Sequence, residues 1–215
     1  MLRLIIALAW SLSLRVLADR LPQSSSNDLL ARSEGNVQLT DVLVMKDSAL
    51  PNHGWLEVYY PNGVLAYRFQ KAILSSFRGI SITTLLDSSN HVKQSLHSDD
   101  DLCFRRSDYT TDTFSIKIDP RGVRSDKWFV YMNSPGGQGE EYSFERNYWN
   151  KDGEIRDEKG NVIAALTTQK SYDHWLNPGD DGVQTYTLHI AREAPHLPFV
   201  TLMGLVLIRV DDCGI

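Results

Sequence analysis

The stretch Leu197-Pro-Phe-Val-Thr-Leu-Met-Gly-Leu-Val-Leu-Ile-Arg-Val210 decides how the rest of the chain is read. From Phe199 to Ile208 it is apolar almost all round, and Arg209 closes it. A segment with no polar face has to be enclosed on every side. As a helix, Leu197 to Val210 would run about 21 Å, well short of the ~30 Å hydrocarbon core of a bilayer. It therefore reads as a core element and not as a membrane span. Pro198 suits the first helical position, and Gly214 comes too late for a sharp stop. A buried β-strand is the competing reading, because a run of Val, Ile and Leu cannot be typed by periodicity alone; length and the flanking prolines favour the helix.

The residues before it read almost entirely as short strands. Trp55 to Tyr60 meet Pro61-Asn62-Gly63 and return as Val64 to Phe69, the Asn-Gly pair supplying the positive φ that a tight turn needs. Ile80 to Leu86 turn through Asp87-Ser88-Ser89-Asn90 into Val92 to Leu96, and Ile155 to Asp157 turn through Glu158 to Asn161 into Val162 to Thr168. Further strands are expected at Val37 to Met45, Phe114 to Ile118, Trp128 to Met132, Tyr142 to Tyr148 and Gln184 to Ile190, on their β-branched and aromatic content. Breakers such as Pro120-Arg121-Gly122 and Asn177-Pro178-Gly179 separate them. The grammar is that of an antiparallel meander, mainly β, wrapped around an apolar rod.

Residues 1–18 have the layout of a secretory signal peptide: Arg3 near the start, an apolar run Leu4 to Leu14, and small Val16 and Ala18 before Asp19. An amphipathic helix retained in the mature chain is the alternative that Arg15 leaves open. Residues 19–36, rich in Ser, Asn and charge, read as a flexible N-terminal arm, and 37–215 as one domain. Loss of the peptide, with its two arginines and no acid, moves the net charge from -5 to -7. That balance argues against a nucleic-acid partner and gives no general attraction to anionic lipid. Both cysteines, Cys103 and Cys213, remain after cleavage. In an oxidising compartment they can form one disulfide that pins the end of the helix to the middle of the chain; two buried thiols are the other possibility.

The runs Gly54-Trp-Leu-Glu-Val-Tyr-Tyr-Pro-Asn-Gly-Val-Leu-Ala-Tyr-Arg-Phe69 and Ser81-Ile-Thr-Thr-Leu-Leu-Asp-Ser-Ser-Asn-His-Val92 resemble the opening half of LURP-one-related proteins. Glu154-Ile-Arg-Asp-Glu-Lys-Gly-Asn-Val-Ile-Ala-Ala-Leu166, Tyr186-Thr-Leu-His-Ile190 and Phe199 to Val210 resemble the closing half. These proteins group with the tubby C-terminal and phospholipid scramblase families. The resemblance spans roughly Val37 to Asp212 and rests on the order of elements. It implies a tubby-like closed antiparallel β-barrel of about twelve strands around a central hydrophobic C-terminal helix. Family members are mostly intracellular, whereas this chain has the layout of an exported one.

No catalytic signature is present, and no enzyme or cofactor is expected. Asp99-Asp100-Asp101 and Asp180-Asp181 lack the alternating ligands and glycine of a calcium loop and read as solvated loop charge. The six histidines have no zinc spacing, so no metal is expected. Cys103 has Arg105 nearby but no base, Gly-x-Ser-x-Gly is missing, and Ser134 to Gly139 lacks the Lys-Ser/Thr ending of a phosphate loop. Arg105, Arg106, Arg121, Arg124 and Lys127 fall in one short stretch and are the candidate phosphate or lipid head-group ligands, although Asp108, Asp112, Asp119 and Asp126 interleave with them. Tyr148-Trp149 and Trp175 can stack on a ligand or simply pack. The leading expectation is a secreted, non-enzymatic binding protein with an extracellular or host protein partner. The second is a binder of phosphoinositide or other anionic membrane lipid, as the tubby and scramblase resemblance implies.

Overall fold

The computed structural model describes residues 38–47, 55–120, 126–133, 139–147, 150–179 and 181–213, all within one compact unit of residues 33–215. The expected signal peptide 1–18 and arm 19–36 lie outside the described residues.

Twelve strands follow one another: β1 (Leu39–Lys46), β2 (Leu56–Tyr59), β3 (Leu65–Ser75), β4 (Ile80–Asp87), β5 (Val92–Ser98), β6 (Ser107–Thr110), β7 (Phe114–Asp119), β8 (Lys127–Met132), β9 (Glu141–Arg146), β10 (Gly153–Asp157), β11 (Val162–Ser171) and β12 (Val183–Ala191). Each pairs antiparallel with its sequence neighbours, and β1 pairs with β12 from Leu39↔Ala191 to Lys46↔Thr185, which closes the barrel. Closure leaves no exposed sheet edge to manage. Eleven of these strands stand where the sequence places them. The twelfth, β6, is an addition, and β3 runs six residues beyond Phe69.

The helix α1 (His196–Cys213) enters at one rim and ends at the other. It starts two residues before Pro198, which sits in the first turn, where a missing N–H costs nothing. It also ends three residues beyond Val210, so its length is about 27 Å. Arg209, Asp211 and Asp212 lie within that length, and no helix among the described residues is long and apolar enough to cross a membrane.

Every residue of α1 from Pro198 to Arg209 is buried. The enclosing wall is the inward face of the strands: Phe69, Leu85, Leu96, Ile116, Trp128, Phe144, Tyr186 and Leu188 are each at most 1% exposed. Phe199 meets Tyr142 edge-on, with ring centroids 5.3 Å apart. At Gly204 an added Cβ would stand 2.6 Å from a Phe69 ring carbon, so only glycine lets the helix approach β3 this closely. The interior is a packed core with the helix as its axis.

Antiparallel order sends the ends of the odd-numbered strands and the starts of the even-numbered strands to one rim. The C-terminus of α1 comes to the same rim, while His196, 3.3 Å from Asp41 at the start of β1, marks the opposite one. Among the described residues, tight turns at that opposite rim include Tyr60–Val64 with Gly63 at φ 80° and Asp87–His91.

Candidate functional site

At the rim where α1 ends, a set of buried charges anchors the loop joining β5 to β6. Arg209, read from sequence as the polar stop of the apolar run, is instead only 2% exposed. Its guanidinium donates to the carbonyls of Arg105 (3.1 Å) and Leu102 (3.3 Å) and to Ser107 Oγ (3.4 Å). Its Nε stands 3.8 Å from the buried Asp126 carboxylate. Burial pushes Asp126 above the usual carboxylate range, and the charges of Arg209 and Arg146 only partly offset this. Cys103 and Cys213 are bonded, with their Cα atoms 5.6 Å apart, so the helix end and this loop are held both covalently and by hydrogen bonds.

The acidic run corrects the sequence reading. Asp99 and Asp100 are exposed, but the Asp101 carboxylate accepts bonds from Ser81 Oγ at 2.6 Å and Tyr109 Oη at 2.5 Å, with Lys71 Nζ at 2.8 Å. It is therefore structural and not solvated loop charge. Burial alone would raise its pKa, but Lys71 and these donors hold it below the usual carboxylate range. A depressed folded value adds stability that is complete above the unfolded pKa of about 4 and is lost as pH falls through the folded one. Asp101→Asn is accordingly expected to lower the melting temperature at pH 7 and to flatten its decline below about pH 4, which thermal unfolding across pH 2–7 checks.

Two acids sit in the last turn of α1, against the sense of the helix dipole. Lys151 offsets Asp211 from 3.5 Å while also bonding Asp47, and Lys71 lies near Asp212. The barrel wall thus supplies the cations that the helix end lacks.

The outer surface of this rim carries exposed side chains of another kind. Nine large hydrophobics are exposed among the described residues, and six of them lie here: Trp55, Ile73, Leu74, Phe77, Phe104 and Tyr172. Phe77, at the tip between β3 and β4, is 93% exposed, and Phe104 is 72% exposed. The two tips are joined at Gly79, whose carbonyl accepts from Asp101 N at 2.7 Å. At φ 68° and with an added Cβ 2.8 Å from Asp101 N, that position is restricted to glycine. Phe104 itself sits at φ 65°, a strained backbone for an aromatic residue.

Of the basic residues singled out in sequence, Arg105, Arg106 and Lys127 come to this rim. Arg105 is exposed, and its side chain pairs with no carboxylate among the described residues. Arg106 pairs with Asp119 at 3.2 Å, and Lys127 lies 5.1 Å from the Phe129 ring centroid. Arg121 and Arg124 lie outside the described residues. Arg78, beside Phe77, is a further exposed cation that sequence reasoning missed. The signal for Arg78 was its place next to an aromatic residue, Phe77, within a turn, where a folded core has no use for an aromatic.

The other candidates gather less. A groove of about 620 Å³ lies on the outer wall between β5 and the β6–β7 turn, lined by Lys93, Gln94, His97 and Thr110 to Thr113. Gln94 holds Thr111 and Thr113 there, and among the described residues His97 has no hydrogen-bonded hydroxyl or carboxylate. Trp175 packs on Tyr59 at 5.1 Å between centroids; Tyr148, Trp149 and Asp180 lie outside the described residues, as do Ser134 to Gln138 of the glycine-rich loop. No three His, Cys, Asp or Glu side chains gather to hold a metal ion among the described residues. Comparison with family models, with curated proteins and with solved structures finds no match.

Proposed function

We propose that this chain is an exported, non-enzymatic binding protein whose target is the anionic surface of a lipid membrane, met by the rim where α1 ends. The observation that carries this reading is the concentration there of exposed apolar side chains together with the arginines Arg78, Arg105 and Arg106. Exposed apolar side chains gathered at one end of a fold are candidates for an interaction site, and arginine supplies the donors that phosphate oxygens accept. The interior supports a surface role, since α1 and the inward side chains of the strands pack there into one apolar core. The Cys103–Cys213 bond supports an oxidising destination, where such bridges persist. The resemblance to the LURP-one, tubby and scramblase group agrees with a lipid target.

The test is flotation of the mature chain, recovered from culture medium and beginning at Asp19, with phosphatidylcholine vesicles containing or lacking phosphatidylserine. Binding is expected with the anionic lipid at low salt, weakening as salt rises. No binding to any vesicle, with capture of a protein from the medium instead, would replace the lipid by the protein partner first expected from sequence. Arg105→Ala is expected to cost about fivefold in partitioning, on a scale of about 1 kcal/mol per surface cation. Arg106→Ala is expected to cost less, because Asp119 already neutralises that charge.

A further inference from the structure

Resting on that reading, we infer that Phe77 and Phe104 form a two-pronged wedge that enters the bilayer to the boundary of the acyl chains, while Arg78, Arg105 and Arg106 stay at the level of the phosphates. The geometry of the two tips leads there. Phe77 is 93% exposed, so the fold gains almost nothing from its ring, and Phe104 is held in a strained left-handed backbone with 72% of its surface in water. Strain at an exposed aromatic has no structural return, which makes it a pointer to use.

The support behind the wedge is rigid. Asp101 N bonds Gly79 O, Arg209 holds the carbonyls on both sides of Phe104, and Cys103 next to it is bonded to the helix end. The rings therefore project from a braced rim, which limits the ordering cost on docking.

A fluid partner suits the two rings because they stand 93% and 72% exposed at separate loop tips, which a lipid surface can take up without a preformed groove. The charges agree as well: each ring has an exposed arginine next to it in sequence, Arg78 after Phe77 and Arg105 after Phe104. The exposed Asp99 and Asp100 stand close by and weaken the field. Apolar insertion thus has to supply more of the affinity than charge does. Trp55 and Tyr172, exposed on the same rim, are of the residue types that settle at the headgroup level.

The experiment uses the full mature chain with phosphatidylcholine–phosphatidylserine vesicles. Phe77→Ala is expected to lower partitioning about tenfold or more, from the transfer of one aromatic side chain, without moving the melting temperature. Phe104→Gly removes ring and strain together, so it is expected to weaken partitioning while holding or raising the melting temperature. Val64→Ala, on the opposite rim, is expected to bind as the native chain does. Phe77→Trp, compared with the four tryptophans of the native mature chain (Trp55, Trp128, Trp149 and Trp175), is expected to show added quenching by lipids brominated on their acyl chains. Native-level binding by Phe77→Ala and Phe104→Gly, with no added quenching in Phe77→Trp, overturns the wedge and leaves the lipid reading standing. If the native chain fails to bind these vesicles, both fall together.

Discussion

Replacing Arg209 with alanine is expected to lower the unfolding free energy by about 3–5 kcal/mol, the range for breaking a buried ion pair from one side. The substitution strands the Asp126 carboxylate in a site whose burial already raises its pKa, and it leaves the carbonyls of Leu102 and Arg105 and the Ser107 hydroxyl without their donor. Arg209→Met combined with Asp126→Leu is expected to recover much of that loss, because a buried pair exchanged for apolar side chains of similar volume is often neutral. Urea unfolding of the native chain, the single and the double variant separates the two results. The expected asymmetry follows from Arg209 being inside the barrel, and an Arg209→Ala effect below about 0.5 kcal/mol would fit only a surface charge.

Loss of the Cys103–Cys213 bond has the second large expected effect. The bond closes a loop of 110 residues in sequence, for which chain entropy gives up to about 4.7 kcal/mol of stabilisation. Cys103→Ser with Cys213→Ser is expected to approach that loss and to loosen the Phe104 loop, which is then held to the helix end by the hydrogen bonds of Arg209. Because Arg209 and the disulfide brace the same loop, their combined removal is expected to depart from the sum of the separate effects by about 0.5–3 kcal/mol. Chemical denaturation of the three variants measures this, and strict additivity would mean that the two braces act on separate parts of the rim.

The barrel was legible in sequence to the extent that local rules determine it. An apolar run with no polar face requires an enclosure, and alternating segments separated by Asn-Gly, Asp-Ser and Lys-Gly turns supply the staves. What escaped is what depends on tertiary placement. Ser107-Asp-Tyr-Thr110 has a strand's alternation, with Ser107 and Tyr109 inward, but only one large apolar residue, too little to mark a strand in sequence. Asp101 reads as one of three loop acids, and only the fold brings Lys71, Ser81 and Tyr109 around it. Arg209 looks like the end of an apolar segment because sequence does not show that Asp126 waits opposite. For the candidate site, Arg105 and Arg106 were visible as charge, whereas Phe77, Phe104 and Arg78 became significant once the alternation of strand ends gathered them on one rim.

Amide hydrogen exchange on the intact chain tests the central claim, that α1 is the filled axis of a closed barrel, most directly. The amides of Leu202 to Ile208 are expected to be among the slowest in the protein, exchanging only through global unfolding and together with those of Leu85, Ile116 and Leu188 on the enclosing strands. Exchange of those helix amides as fast as that of the Ser76–Arg78 tip would place the helix outside the barrel and contradict the account.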